Sequence, residues 1–154
     1  MKRRKKYKPK PILVNPLGYV MEGMSPVTSY GDYLVDLHIK HHNALAKLVR
    51  GEAAKSDMDT LISGANMTEA LLMLEIGTEY AGVMRQGQDA LFAAASRGAV
   101  SGRFILKGEE MQAINTLFEL HDAQLEIATV KDIERAIAIV ERERRAKRMR
   151  TVAK

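Results

Sequence analysis

The stretch that decides the fold is Asp32–Gly51, DYLVDLHIKHHNALAKLVRG. Leu34, Leu37, His41, Leu45 and Leu48 recur at steps of three and four, which places them on one stripe of an α-helix, while Asp36, Lys40, Asn43 and Lys47 fall on the opposite face. Gly51 stands where such a helix stops. Upstream the grammar is different. All four prolines, Pro9, Pro11, Pro16 and Pro26, lie before this stretch, so residues 1–28 cannot form a continuous helix and read as an extended arm. Within it, Ile12 to Met21 carry enough apolar area to lie on a surface.

Downstream there is no proline, and glycine punctuates segments of helical length. A second helix is expected from Ser56, with its hydroxyl as cap, carrying Met58, Leu61, Ile62 and Ala65 inward. It either breaks at Gly64, restarting at Asn66, or runs on toward Gly77. A third is expected over about Thr78–Arg97 with Tyr80, Val83, Met84, Leu91 and Ala94 inward, followed by a loop from Gly98 to Gly108. Glu109 and Glu110 open a fourth, whose stripe is Met111, Ile114, Leu117, Phe118, His121 and Leu125. Thr129 and Asp132 have capping-box spacing and start a fifth, with Val130, Ile133, Ile137 and Val140 inward. The fold class is therefore all-α: a four- or five-helix bundle over 29–140, an N-terminal arm over 1–28 and a C-terminal helical tail over 141–154.

The chain has 154 residues, 46% hydrophobic and 28% charged. One domain of this size hides roughly two-thirds of its unfolded surface and needs no disulfide or metal staple. The absence of cysteine removes disulfide scaffolds, zinc ribbons, iron–sulfur clusters and thiol nucleophiles, and fits a reducing, cytoplasmic setting. No run approaches the roughly 20 apolar residues of a bilayer span, and no membrane role is expected.

The formal net charge of +5 conceals a segregation. Residues 1–10 hold seven bases and no acid, and residues 141–154 hold seven bases and two acids, whereas 11–140 carry 10 bases and 17 acids. Clustered cations neutralise phosphates and release condensed counterions, so the first reading is sequence-independent binding to DNA or RNA through Lys2, Arg3, Arg4, Lys5, Lys6, Arg144, Arg145, Lys147 and Arg148. The rivals are tails folded onto the acidic body of the same or a neighbouring subunit, and ends that are merely solvated.

Catalytic motifs are absent: there is no phosphate loop, dinucleotide fingerprint or nucleophile elbow. His38 and His42 share a helix face and could present two imidazoles to a metal, with a carboxylate such as Asp122 arriving from elsewhere, but the ordinary reading leaves them solvated, with His41 half buried and titrating near neutrality. No cofactor or metal is expected. Glu119, Asp122 and Glu126 read as a solvated acidic ridge. A helix-turn-helix over 57–76 fails because its would-be reading helix presents Leu71, Leu72, Met73 and Leu74 rather than base-reading side chains.

Pro9–Pro11, Asn15–Val20, Asn66–Leu71, Glu119–Leu125 and Asp132–Ile137 together give the chain an overall pattern that resembles a family of small proteins from proteobacterial phages and mobile elements with no assigned activity. The resemblance implies a bacterial or phage cytoplasmic setting and transfers no catalytic residue. The expected function is a non-enzymatic helical accessory protein that touches nucleic acid and self-associates as a homo-oligomer; the alternative is a protein-docking adaptor, inhibitor or assembly module that uses the N-terminal arm.

Overall fold

The computed structural model describes Met24, Pro26 and residues 31–147, with side-chain surroundings from Val35 onward. Five helices follow in order: α1 (Gly31–Val49), α2 (Lys55–Met73), α3 (Ala81–Ser101), α4 (Gly108–Ile127) and α5 (Val130–Arg145), with a short 3-10 turn at Thr78–Tyr80 before α3. Of the described residues 82% are helical, and none forms a strand. Most of the arm at 1–28 and the end of the tail lie outside the described residues. Of the arm, Pro26 makes an isolated antiparallel bridge with Thr129 at the α4–α5 turn.

The main core gathers Leu45 and Leu48 of α1, Met58, Leu61 and Ile62 of α2, Met84 and Leu91 of α3, and Ile114, Leu117 and Phe118 of α4. A second cluster joins Ala70 and Leu71 of α2 and Leu125 of α4 to Ile133, Ala136 and Val140 of α5. Fully burying one such leucine or isoleucine contributes about 1.5–3 kcal/mol, so the apolar stripes account for the assembly of the bundle.

α2 passes through Gly64 unbroken. The rings of Phe118 and His41 press on that point; a Cβ there would stand 2.9 Å from Phe118 Cε1 and 3.2 Å from His41 Nε2. Gly64 is thus a landing place for neighbouring rings and not a break, and Asn66 and Thr68 are buried inside the helix. The start of α2 also differs from expectation. Ser56 is already helical, and the cap comes from Asp57, whose carboxylate accepts from the Ala54 backbone N–H at 2.8 Å. At its far end, Glu75 takes a left-handed φ of 65° and the Ile76 N–H closes onto Leu71 O at 3.0 Å.

The expected loop from Gly98 to Gly108 starts four residues later: α3 continues to Ser101 and stops at Gly102, whose φ is +79°, and only 102–107 connect to α4. Gly98 has another task, because a Cβ there would overlap the ring of Phe104, which folds back onto the helix from the connection to α4. Arg97 pins the same connection, donating to both carboxylate oxygens of Glu110 and to the backbone oxygen of Ile105. The pair holds the Glu110 carboxyl below its ordinary range, chiefly through the hydrogen bond from Arg97. Glu110 also accepts from the Lys107 N–H at 2.9 Å, capping α4.

The box at α5 forms as its spacing predicts: Thr129 Oγ1 accepts from the Asp132 N–H at 3.1 Å, and Asp132 Oδ2 accepts from the Thr129 N–H at 2.9 Å. Ile133 and Val140 are buried, but Ile137 is exposed, as is Tyr80, which precedes α3 and is not part of its inner face.

Candidate functional site

Histidines at steps of three and four on α1 cover two neighbouring strips of its surface. His38 and His42 sit on one strip and His41 on the next, one step nearer the core. α4 lies against both strips. His42 Nε2 is 2.8 Å from Asp122 Oδ2, whereas His38 Nε2 stands 3.4 Å from Asp122 Oδ1 without hydrogen-bond alignment. Asp122 therefore leaves the solvated ridge expected for it and serves as the acceptor for α1, while Glu119 and Glu126 stay exposed.

His41 turns inward and meets His121 of α4, with ring centres 5.2 Å apart, and both rings approach Phe118. His41 is buried, not half buried, and does not titrate near neutrality. Desolvation lowers its pKa to about 4, opposed by the Asp122 charge and assisted by Lys40. Desolvation likewise lowers His121 to about 3, with His41 adding to the effect. Gln124 lies close enough to oppose that shift, yet makes no well-formed hydrogen bond with His121. Its amide instead donates to the backbone oxygens of Thr68 and Ile76. Both His121 nitrogens, His41 Nδ1 and Gln124 Oε1 are buried without a hydrogen-bond partner.

These rings border a cleft of about 290 Å3 between α1, α2, α4 and α5, against the smaller of the two apolar clusters. Its walls are largely aliphatic, with Thr60 and Ser63 of α2 on one side, and Lys40, Glu141 and Arg144 stand at its edge. A buried histidine on each of two inward stripes, His41 on α1 and His121 on α4, is the signal in the sequence that could have located this site; the contributions of Thr60, Ser63 and Glu141 have no such signal, because they depend on how four helices meet.

The basic end of α5 lies beside the cleft. Arg142, Arg144, Arg145 and Lys147 are all exposed. Cations suit the negative end of a helix. Arg142 is 3.6 Å from Glu143, which is buried and continues the inward face one step beyond Val140. Arg144, Arg145 and Lys147 have no carboxylate within 4.0 Å among the described residues. The helix ends at Arg145, and Lys147 takes a left-handed φ of 58°. Of the expected phosphate-binding residues, Lys2, Arg3, Arg4, Lys5, Lys6 and Arg148 lie outside the described residues. Arg144, Arg145 and Lys147 share one short segment, with Arg144 nearest the cleft.

Among the described residues no group of three or more histidine, aspartate or glutamate side chains has the geometry to hold a metal ion. No described helix is long and apolar enough to cross a membrane. Comparison with known protein families, curated proteins and solved structures finds no match for the chain.

Proposed function

We propose that the protein is a non-enzymatic helical accessory protein that binds the phosphate backbone of DNA or RNA through its basic ends, with the bundle supplying the fold and the surface for self-association. The observation that carries this reading is the end of α5: Arg144, Arg145 and Lys147 are exposed and unpaired by carboxylates among the described residues. Had the acidic body claimed these groups, their charge would serve internal assembly. Instead three cations stand within four positions of one another and face solvent, where binding to phosphate releases counterions at little desolvation cost.

Fluorescence anisotropy with a short labelled duplex, followed across a salt series, tests this. Affinity is expected to fall steeply with salt. Replacing Arg144, Arg145 and Lys147 together by alanine should flatten the log–log slope by about 0.9 for each duplex phosphate that is no longer neutralised. Equal affinity of the full chain and the triple variant at every salt concentration would remove α5 from the interface.

A second reading, a protein-docking module, is favoured by Val35 and Ile39, an exposed apolar pair four apart on the outer face of α1. If that reading holds, removing residues 1–28 or replacing Val35 and Ile39 by serine changes the mass in solution while leaving nucleic-acid affinity intact.

A further inference from the structure

The inward stripe of α5 has a gap. Ile133 and Val140 are buried, yet Ile137, which stands between them on the same stripe, is 44% exposed. Around it Leu37, Met67, Leu125, Ile133 and Val140 wall the cleft of about 290 Å3 between α1, α2, α4 and α5. A cavity of roughly 150 Å3 admits a benzene ring, so this one has room for about two side chains of leucine or tyrosine size. The cleft starts one turn beyond Thr129, and Thr129 is where the arm is anchored, by its antiparallel bridge to Pro26. Antiparallel pairing means that the residues before Pro26 leave the bridge in the direction the chain takes from Thr129 into α5. That direction leads along Ile133, Ile137 and Val140.

We propose that residues 17–21 of the arm, Leu-Gly-Tyr-Val-Met, seat in this cleft of their own chain, with Tyr19 and Met21 turned onto Ile137. In an extended segment alternate side chains share a face, so Leu17, Tyr19 and Met21 fall on one side and Val20 on the other. Reach is sufficient. Fully extended, the chain from Pro26 back to Met21 spans up to about 17 Å and back to Tyr19 up to about 23 Å, whereas α5 covers about 12 Å from Thr129 to Ile137 and about 22 Å to Arg144. The chemistry agrees with the distances. Methionine adapts to irregular apolar space, and tyrosine brings an apolar body for the walls and a hydroxyl for the edge, where Lys40, Glu141 and Arg144 stand. The tether decides between this occupant and a free one. A short link raises the effective concentration to the millimolar range, so a contact too weak to hold a separate molecule suffices for the chain's own arm. The inference does not rest on nucleic-acid binding. The two agree, because an arm seated so leads residues 1–10 toward the end of the bundle that carries Arg144, Arg145 and Lys147, and one phosphate backbone then meets both basic ends.

The sequence contains no cysteine, so Val20→Cys gives the full chain a single attachment point, on the side of the segment turned away from the cleft. A nitroxide placed there should broaden the methyl NMR signals of Leu37, Ile133, Ile137 and Val140 and spare those of Val100 and Ile105, which are exposed and outside the cleft. Tyr19→Ser with Met21→Ser, changes that leave the bundle itself untouched, should reduce that broadening several-fold, to the level at Val100. Ile137→Glu, at an exposed position, should do the same at Leu37, Ile133 and Val140 without loss of helical circular dichroism. Nitroxide-bearing chains mixed with isotope-labelled chains that lack the nitroxide should broaden nothing. Broadening in that mixture assigns the cleft to the arm of a second copy and overturns the proposal. So does a label at position 20 that broadens the cleft methyls no more than Val100, or broadening of the cleft that survives the two serine replacements.

Discussion

His42 Nε2 and Asp122 Oδ2, eighty positions apart in the chain, meet at 2.8 Å and tie α1 to α4 on the open side of the bundle. The partially exposed pair works in a high effective dielectric, so a double-mutant cycle of His42→Ala and Asp122→Ala should return a coupling of about 0.5–1 kcal/mol in urea unfolding. Asp122→Ala alone should cost more than His42→Ala alone, because His38 also faces that carboxylate.

The two inward histidines make stability depend on acid. Their folded pKa values, about 4 for His41 and about 3 for His121, lie below the ordinary 6.5, so below that value the unfolded chain takes up protons that the folded chain does not. Stability is full above pH 6.5 and falls as the pH drops toward 4, by several kcal/mol in total when both rings titrate normally in the unfolded chain. Urea midpoints measured between pH 4 and 8 check the sign, and His121→Leu should shallow the slope. NMR should show no titration of the His41 and His121 ring protons between pH 6 and 8.

Arg97 and Glu110 set a second pH dependence at lower pH. The folded Glu110 pKa is depressed, so its contribution is present above the ordinary carboxylate value and fades as the pH falls through the folded one. Glu110→Gln at neutral pH should cost about 1–2 kcal/mol, because it weakens both the charge-assisted bond to Arg97 and the cap on α4. Thermal melts of Glu110→Gln and Arg97→Ala, alone and combined, measure it; the combined loss should fall short of the sum.

Three glycines of α3 should respond in opposite directions. Gly87→Ala drives a methyl into Leu117 and Gly98→Ala drives one into Phe104, each costing about 1–3 kcal/mol or more. Gly82 has open space beyond its Cα, so Gly82→Ala should gain up to about 0.5–1 kcal/mol. Chemical denaturation of the three single variants tests the contrast.

The helices were legible because their inward residues keep a period near 3.6 and their caps are local: Thr129 with Asp132, and Lys107 with Glu110 in the first turn of α4. What stayed hidden depends on partners remote in the chain. Gly98 and Gly102 look alike in sequence, and only the return of Phe104 shows that one receives a ring while the other ends the helix. Gly64 misleads in the same way, since Phe118 and His41 decide its role. The pairing of His42 with Asp122, and of His41 with His121, follows from α1 lying against α4, which no periodicity within one helix states. The charge segregation was plain from the start, yet the burial of Glu143 among the arginines that follow Val140 was not.

α5 buries its inner face in the smaller of the two apolar clusters, against α2 and the end of α4, apart from the main core. A helix moored this way opens with less free energy than the rest of the bundle, so its amides exchange with solvent ahead of those of α2 to α4. Any polyanion that engages Arg144 would slow that exchange, making this lightly moored helix a reporter of occupancy.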